Sequence, residues 1–397
     1  MSNTIKWLWL TTKRGLSSVK ISRLVEKYGN IEDIYSRTSY DVPHLTKEDT
    51  AALCNKSLDT AKRTYENVRS CGAEILTCDN KYYPESLRNI RPMPYVLYVR
   101  GRAMDIDNMF AIGIVGTRIN TDYGAECASR ISYELGKQDV VIVSGLAKGI
   151  DSIAMSAAIR AGAKTIGVLG CGIDQVYPAS NRRLFDEVLK NGLIISEYPP
   201  GTMAFRGSFP QRNRIIAGLS RGVLVVEGSR SSGSMITARF AEEYSRDVFA
   251  VPRNIGDKNA RGIPMDGTDH LIQTGAKLIM SAADILTEYG YTAPKIKSDS
   301  PPPEPPPEPH ISVREVKAAD PPSVEEITGD DIEVLAERAA SDIQKSIIRL
   351  IGGRGLFADE IADGLDADAS VIGTALTIME TIGLIKRQPD GKYKLNC

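Results

Sequence analysis

The sequence predicts an α/β protein whose largest part is a doubly wound parallel sheet. Short apolar, β-branched runs alternate with helical patterns of moderate length between about residues 109 and 289. This alternation is typical of a parallel sheet that is covered by helices on both faces. Nearly every predicted strand is followed by a small or glycine-rich turn. We therefore expect a Rossmann-like fold, with a helical domain before it and a winged-helix domain after it.

Length and composition allow several domains and indicate an ordinary globular protein. The chain has 397 residues, of which 42% are hydrophobic and 25% are charged. No apolar run approaches the roughly 18 residues of a membrane span, and the N-terminus lacks a signal-peptide pattern. The six cysteines form no CxxC pair, which favours free thiols over a structural zinc site. We expect a cytoplasmic protein with no membrane span, metal or cofactor.

The formal net charge of −1 conceals an uneven distribution. Residues 326–397 carry 8 Lys or Arg and 13 Asp or Glu, and residues 293–325 carry 4 and 6. Of the chain's 49 basic and 50 acidic residues, 37 and 31 therefore fall in residues 1–292, a net charge of +6. The front of the chain is the expected polyanion-binding part.

Residues 1–70 predict a small helical domain. A helix at Ser18–Tyr28 follows a turn around Gly15, and Gly29 with Asn30 forms the next turn. The pattern is similar to a helix-hairpin-helix or SAM-like module, whose hairpin amides approach phosphate. Ser17 stands where such a hairpin usually has its second glycine. A structural or protein-contact role therefore stays open beside DNA binding.

Residues 71–292 predict the sheet domain. Two strand-like pieces near its start, Glu74–Thr77 and Val96–Val99, are separated by prolines, which favours a place at the edge of the sheet. The buried runs that follow are Phe110–Val115, Val140–Val143, Thr165–Leu169, Leu193–Ile195, Val223–Val226 and Val248–Val251. Helices are predicted at Tyr123–Lys137, Gly149–Ala161, Asn181–Lys190, Arg212–Leu219 and from Met235 to Ser245.

The turns after these strands predict a cationic rim. Ligands of open α/β sheets bind at the carboxyl ends of the strands, and small residues there let backbone approach a ligand closely. We expect five basic side chains to project from this edge: Arg118, Lys148, Arg206, Arg212 and Arg253.

The stretch from Glu197 to Glu227 carries the clearest functional signal. It has no acidic residue between its two ends, but four arginines, together with an aromatic at Phe209 on a predicted loop. A Gly/Ser-rich turn, Gly228–Ser234, then opens the next helix. Cations, an exposed ring and helix N-terminal amides together suit a polyanion with flat bases, such as single-stranded nucleic acid. The alternative is that the arginines solvate a surface and Phe209 belongs to the core.

Nucleotide-binding and catalytic motifs fit poorly. The first turn of the sheet is not GxGxxG, and Gly162–Thr165 lacks the spacing of a P-loop. No GxSxG is present, and Asp151 and Glu227 are the candidate carboxylates of the sheet domain. Each has a structural alternative, because Asp151 can cap a helix start and Glu227 can bind loop amides or an arginine.

The rest of the chain predicts a linker and a second domain. Ten of the 21 prolines lie between Pro294 and Pro322, which indicates an extended spacer over residues 293–325. Residues 326–397 predict a winged helix, with helices at Ser341–Ile351, Ala358–Gly364 and Ser370–Ile382 and strands at Leu384–Arg387 and Lys392–Leu395. The third helix has no Lys or Arg, so a protein-contact role is favoured over sequence-specific DNA binding.

Six motifs resemble the DNA-processing protein family DprA/Smf. They are VGTR (Val115–Arg118), SGLAKGID (Ser144–Asp151), GCGID with VYP (Gly170–Pro178), SEYPPGT (Ser196–Thr202), FPQRNRIIAGLS (Phe209–Ser220) and SGSMITARFA (Ser232–Ala241). The resemblance implies a cytoplasmic protein that binds single-stranded DNA, loads RecA recombinase in natural transformation or recombination, and forms a homodimer through its Rossmann domain.

The resemblance also implies roles for residues. Arg118 and Arg206 would hold phosphates, Phe209 would stack on a base, and the turn at Ser232–Ser234 would donate backbone N–H groups. A related Rossmann family, the nucleotide phosphoribohydrolases, has glutamate where Thr237 stands, so N-glycoside hydrolysis is the weaker alternative and no catalytic residue is expected. The full set of candidate DNA-binding residues is Gly116, Thr117, Arg118, Gly145, Lys148, Arg206, Phe209, Arg212, Asn213, Ser232, Gly233, Ser234 and Thr237.

Overall fold

The computed structural model describes residues 2–205, 207–291 and 342–351, and short pieces between 356 and 395. The chain divides into two compact units, residues 1–306 and 307–397. Among the residues of these ranges, no helix is long and apolar enough to cross a membrane. The five cysteines that the structure describes have free thiols.

The first unit begins with five helices. They are α1 (Asn3–Thr11), α2 (Ser18–Tyr28), α3 (Ile31–Ser36), α4 (Lys47–Cys54) and α5 (Asp59–Ser70). Side-chain caps fix several of their starts, because a cap satisfies an amide that the first turn leaves free. The Ser17 hydroxyl accepts from the amide of Lys20, and Thr46 with Asp49 forms a capping box. The predicted bounds of α2 are confirmed.

A nine-stranded sheet follows, in the order β1-β2-β6-β5-β4-β3-β7-β8-β9. In this order, every pair of neighbours from β6 to β9 is parallel. The strand β2 pairs antiparallel with β6, and β1 pairs antiparallel with β2. The predicted place of the first two strands at the edge is therefore confirmed. The strands are β1 (Glu74–Thr77), β2 (Val96–Gly101), β3 (Ala111–Val115), β4 (Val141–Ser144), β5 (Thr165–Leu169), β6 (Leu193–Ser196), β7 (Gly222–Val225), β8 (Asp247–Ala250) and β9 (Lys277–Leu278).

Helices cover the two faces of this sheet. They are α6 (Glu85–Arg88), α7 (Asp122–Gly136), α8 (Ile150–Arg160), α9 (Arg182–Asn191), α10 (Ser208–Leu219), α11 (Gly233–Glu243), α12 (Gly267–Gln273) and α13 (Ala282–Glu288). The predicted start of α10 at Arg212 is wrong, because the helix begins at Ser208. Pro210 lies in its first turn, where a missing N–H costs nothing, so the proline does not break the helix.

The core has one layer on each face of the sheet. One cluster joins buried residues of α1, such as Trp7 and Trp9, to strand residues such as Val168 and Ile195. The other packs Ile112, Leu224 and neighbouring strand residues under α7, α8 and α13. The helical segment and the sheet therefore share a core within one unit, and the boundary near residue 70 stays a prediction.

The second unit is described in part. It contains α14 (Asp342–Ile351) and an antiparallel pair of strands, β10 (Ile385–Arg387) and β11 (Tyr393–Leu395), over a small apolar core. The two predicted strands are thus found, within one residue of their predicted bounds. Most of the predicted helices Ala358–Gly364 and Ser370–Ile382, the whole turn Pro389–Gly391 and the linker lie outside the described residues.

Candidate nucleic-acid interface

The carboxyl edge of the sheet has a topological switch point between β3 and β7. From β3 the chain winds outward through β4, β5 and β6, and then returns to β7 on the other side of β3. At this point the amide of Thr117 donates to the carbonyl of Glu227 over 2.8 Å, which joins the loops after β3 and β7. Open α/β sheets bind their ligands at such a crevice.

The loop after β3 exposes a cation against a ring. The guanidinium carbon of Arg118 lies 5.2 Å from the centroid of the Phe209 ring, within the range of a cation–π contact. The ring of Tyr177 lies 5.2 Å from that of Phe209 at an interplanar angle of 32°. Arg118 and Tyr177 are exposed, whereas Phe209 between them is half-buried. These three side chains form a layered group, which we call the rim stack.

The position of Phe209 differs from the sequence expectation of an exposed ring on a loop. Phe209 belongs to the first turn of α10, and a Cβ added at Gly170 would lie 2.9 Å from its Cδ1. One part of the ring therefore packs on backbone, and its remaining surface is shared with Arg118 and Tyr177. Two aromatics of neighbouring segments are more exposed than Phe209: Tyr177, at 42%, and Phe205, at 51%.

The loop after β4 brings backbone and a cation to the same edge. Leu146 adopts a φ of +54°, and the side-chain amide of Asn181 donates to the carbonyls of Leu146 and Ala147. This anchoring leaves Lys148 exposed. Gly149 has a φ of +78°, and a Cβ there would lie 2.4 Å from the carbonyl oxygen of Thr117. Only glycine lets the loops after β3 and β4 approach this closely.

A buried carboxylate, Asp151, and a buried guanidinium, Arg212, form the floor below these loops. Asp151, in the first turn of α8, accepts hydrogen bonds from the amides of Gly116, Gly145 and Ala147. Burial raises the pKa of its carboxyl, and the guanidinium of Arg212 opposes that shift. Arg212 is 5% exposed and donates from Nη1 to the carbonyl of Val168 over 2.7 Å. The predicted projection of Arg212 from the edge is therefore wrong, because its side chain is buried and bonded to the backbone.

Gly145 is needed for this floor. A Cβ at Gly145 would lie 1.9 Å from Nη1 of Arg212, closer than any real contact. The sequence predicts that Gly145 and Arg212 contact the ligand. In the structure they pack against each other, and they support the loops that carry Arg118 and Lys148.

The third loop ends at the N-terminus of α11. Its N-cap residue, Ser232, makes no side-chain cap hydrogen bond, and its hydroxyl is bonded instead to that of Ser234. Gly233 has open space around its Cα. The amide of Met235 donates to the carbonyl of Ser232, so the amides of Gly233 and Ser234 are the ones left for an anionic ligand.

Two further residues of the binding set lie behind this turn. The side-chain amide of Asn213 donates to the carbonyl of Gly233 over 3.1 Å, so it fixes the turn. Thr237 is 1% exposed, and its hydroxyl has no hydrogen-bond partner among the described residues. Neither side chain is on the open surface.

The four arginines of the acid-free stretch do not form one surface. Arg214 is 2% exposed and donates from Nη2 to both carboxylate oxygens of Glu197, at 2.7 and 2.8 Å. Arg221 precedes β7 and is therefore at the opposite edge of the sheet. Arg212 is in the floor, and Arg206 lies outside the described residues.

Arg253 does not project from the rim either. Its side chain is 5% exposed and donates to the carbonyls of Asn254 and Asp257. It therefore holds the loop after β8 in place and is not free to contact a ligand.

The candidate carboxylate Glu227 also has a structural role. It accepts from the amide and the hydroxyl of Thr121, the N-cap residue of α7, at 2.9 and 2.8 Å. A Cβ at Gly124 would lie 2.3 Å from its Oε2, so the site is closed around the carboxylate.

Two surface residues at the edge were missed from the sequence. Tyr177 lies within the GCGID–VYP motif, and a ring beside the strand-end glycines was the available signal. Arg182 is exposed at the first position of α9, next to the Asn181 that anchors the Lys148 loop. Its place at a helix start after β5 could have been found from the helix prediction.

Comparison with known proteins agrees with this architecture. The sequence model of a family described as DNA recombination-mediator protein A matches residues 74–290. The chain is 44% identical over 270 residues to the DNA processing protein DprA of Bacillus subtilis, which covers 67% of this chain and 89% of that protein. It is 38% identical over 291 residues to Protein Smf of Synechocystis, 72% of each chain. The X-ray structure of DNA processing protein A from Streptococcus pneumoniae superposes with a TM-score of 0.59 at 34% identity, over 72% of this chain and 98% of that one. The resemblance stated from the motifs is confirmed, and the chain belongs to the DNA recombination-mediator protein A family.

Proposed function

We propose that this protein binds single-stranded DNA at the carboxyl edge of its sheet and acts as a recombination mediator without turnover. The observation that carries the proposal is the rim stack, in which the exposed Arg118 and Tyr177 flank Phe209. A guanidinium beside an open ring offers a phosphate contact and a base-stacking face within one nucleotide's reach.

The charges of this edge support the same function. Arg118, Lys148 and Arg182 are exposed. None of them belongs to an ion pair with a carboxylate of the described chain. Phosphates that displace counterions from such side chains bind in a strongly salt-dependent manner, irrespective of base sequence.

Backbone donors at the same edge would complete the phosphate contacts. The Ser232–Ser234 turn contains the first residues of α11 and therefore its first amides. The loops after β3 and β4 carry Gly116 and Gly145. Because Asp151 already occupies amides of Gly116 and Gly145, we assign the phosphate to the α11 turn and to Arg118.

The rings of Tyr177 and Phe209 are expected to contribute differently to DNA binding, and single substitutions distinguish their roles. We expect Tyr177→Ala to weaken single-stranded DNA binding by about 1–3 kcal/mol, because its exposed face is where a base can stack. Phe209→Ala is expected to weaken binding too, but also to lower the melting temperature, because Phe209 packs on Gly170. Tyr82→Ala, a 71% exposed ring elsewhere, is the control. Fluorescence anisotropy and thermal unfolding of the three variants test this, and unchanged affinity of Tyr177→Ala would contradict the stacking role.

The two candidate catalytic carboxylates of a nucleotide hydrolase both have structural roles in this protein. Asp151 accepts from three loop amides, and Glu227 accepts from the amide and hydroxyl of Thr121, the N-cap residue of α7. This arrangement favours binding over N-glycoside hydrolysis. Release of free base from nucleoside monophosphates incubated with the purified protein would overturn it.

The finer features of the mediator role are also proposals. On the strength of the family, we propose that the protein loads RecA recombinase onto DNA in the cytoplasm during transformation or recombination. A direct binding assay with RecA that gave no signal would contradict this. We also propose a homodimer through the sheet domain, since β9 ends the sheet with Leu278 and Met280 exposed at 43% and 68%. A monomer in sedimentation experiments at micromolar concentration would refute it.

We further propose the layout stated from the sequence: a SAM-like helical domain over 1–70, a DNA-binding domain over 71–292, a linker over 293–325 and a winged helix over 326–397. The acidic winged helix would contact a protein partner. A chain ending at Tyr291 should then retain single-stranded DNA binding, and its loss would contradict this division of roles.

A further inference from the structure

Two lysines of the helical segment share one aromatic ring and have no acidic partner. The ammonium nitrogens of Lys13 and Lys56 lie 5.0 and 4.8 Å from the centroid of the Trp9 ring. Lys13 follows α1 and Lys56 follows α4, so the pair comes from distant parts of the sequence. Within the described chain, neither belongs to an ion pair with a carboxylate. We call Lys13, Lys56 and Trp9 the lysine cluster.

Three other lysines of the segment do have such a partner. Lys6 pairs with Glu32, Lys20 with Asp49, and Lys27 with Asp41. Two like charges over one ring are mutually unfavourable, and the pKa values reflect their surroundings. Burial lowers the pKa of Lys13, and burial, with a smaller contribution from Lys13, lowers the pKa of Lys56 to about 8. An anion placed between the two would relieve both costs.

The donors needed for an anion are present. Lys13 donates to the carbonyl of Asn55 over 2.7 Å, and Lys56 donates to the Tyr40 hydroxyl. An ammonium has three N–H donors, so each keeps donors for a ligand. The C-termini of α1 and α4 also attract these cations, but each helix end carries only about half a charge. A positive surplus is left at the cluster.

The hairpin itself is the weaker place for a phosphate. A Cβ at Gly15 would lie 3.1 Å from a carboxylate oxygen of Asp49, which is 3% exposed and paired with Lys20. An acidic group therefore lies beside the turn whose amides a helix-hairpin-helix would offer. The lysine cluster therefore offers a phosphate site that the amides beside Gly15 do not.

The segment also lies beside the carboxyl edge of the sheet. The hydroxyl of Ser18, the first residue of α2, donates to Oε1 of Glu197 over 3.1 Å. Glu197 directly follows β6, so the α1–α2 turn that carries Lys13 adjoins the edge where we place the DNA. A DNA strand that left the rim on the β6 side would approach this turn.

We propose that the lysine cluster is a second phosphate contact for single-stranded DNA, reached only by strands long enough to extend beyond the rim. This inference rests on the proposed function. It adds a site on the helical segment and a length dependence that the rim alone does not give.

The test compares two oligonucleotide lengths by fluorescence anisotropy over a range of salt. For an oligonucleotide of about 30 nucleotides, Lys13→Gln/Lys56→Gln should reduce the slope of log affinity against log salt by about 1.4, or two phosphate contacts. For one of about 6 nucleotides, near the lower limit for a single site, the slope should not change. Lys13→Arg/Lys56→Arg keeps both charges and should restore the slope.

The control is Lys47→Gln/Lys62→Gln, which removes two charges from exposed positions of the same segment. If the cluster variant and this control have the same slope of log affinity against log salt with both oligonucleotides, the proposal is overturned. An equal reduction of the slope with both oligonucleotide lengths also overturns it, as does a reduction that the arginine variant shares. Absence of wild-type binding to either length refutes the proposed function as well, which distinguishes the two failures.

Discussion

Replacing Asp151 by alanine is expected to lower the free energy of unfolding by about 3–5 kcal/mol, because each buried amide that loses its acceptor costs about 1–3 kcal/mol. The variant leaves the amides of Gly116, Gly145 and Ala147 without their acceptor and Arg212 without its compensating charge. Arg212 cannot turn to solvent at low cost, because it lies 5% exposed under the loops. Urea denaturation followed by circular dichroism measures the effect.

The matched control is Asp186→Ala on α9, an exposed carboxylate for which we expect a change within about 0.5 kcal/mol. A second comparison uses glycines of the same edge. Gly145→Ala should destabilise strongly, because its Cβ would meet Arg212 at 1.9 Å, whereas Gly233→Ala meets open space. Equal free energies of unfolding for Asp151→Ala and Asp186→Ala would show that the floor does not depend on the Asp151 carboxylate.

Replacing Arg118 by alanine is expected to weaken single-stranded DNA binding about tenfold, and equally for all base sequences, because the lost contact is to phosphate. The slope of log affinity against log salt should fall by about 0.7 for this one contact. Arg118 is exposed and contacts Phe209, so the fold should be retained. Anisotropy titrations with oligonucleotides of different composition measure both quantities.

Arg221→Ala provides the control for Arg118→Ala. Arg221 is also an exposed arginine of this sheet, but it lies at the opposite edge, before β7. The two variants therefore have the same net charge and differ only in the edge that loses it. Equal weakening by both would mean that the total charge of the sheet domain, and not the rim, governs binding.

Much of the fold could be predicted because parallel strands buried on both faces have a distinctive sequence pattern. The predicted runs for β3 to β8 match the observed strands within one residue at each end. Glycine-rich turns likewise located the carboxyl edge, since a turn that brings backbone close to a ligand excludes large side chains. The start of α10 was missed because Phe209 was assigned to a loop, although the Pro210 that follows it is compatible with the first turn of a helix.

The functional residues were harder to predict, because sequence proximity does not determine which way a side chain faces. Arg212 and Arg214 are two positions apart in one helix, and both are buried, one beside Asp151 and one on Glu197. The local excess of arginine therefore includes two buried side chains, one bonded to the Val168 carbonyl and one paired with Glu197. The lysine cluster was missed for the same reason, because Trp9 brings together residues from two separate turns.

The most direct test of the central proposal is anisotropy of the full chain with labelled single-stranded and double-stranded oligonucleotides of equal length, at two salt concentrations. We expect a preference for the single strand, because unpaired bases are needed to stack on the rim, together with weaker binding at the higher salt. Equal affinity for both forms, or no binding by a protein shown to be folded, would contradict it.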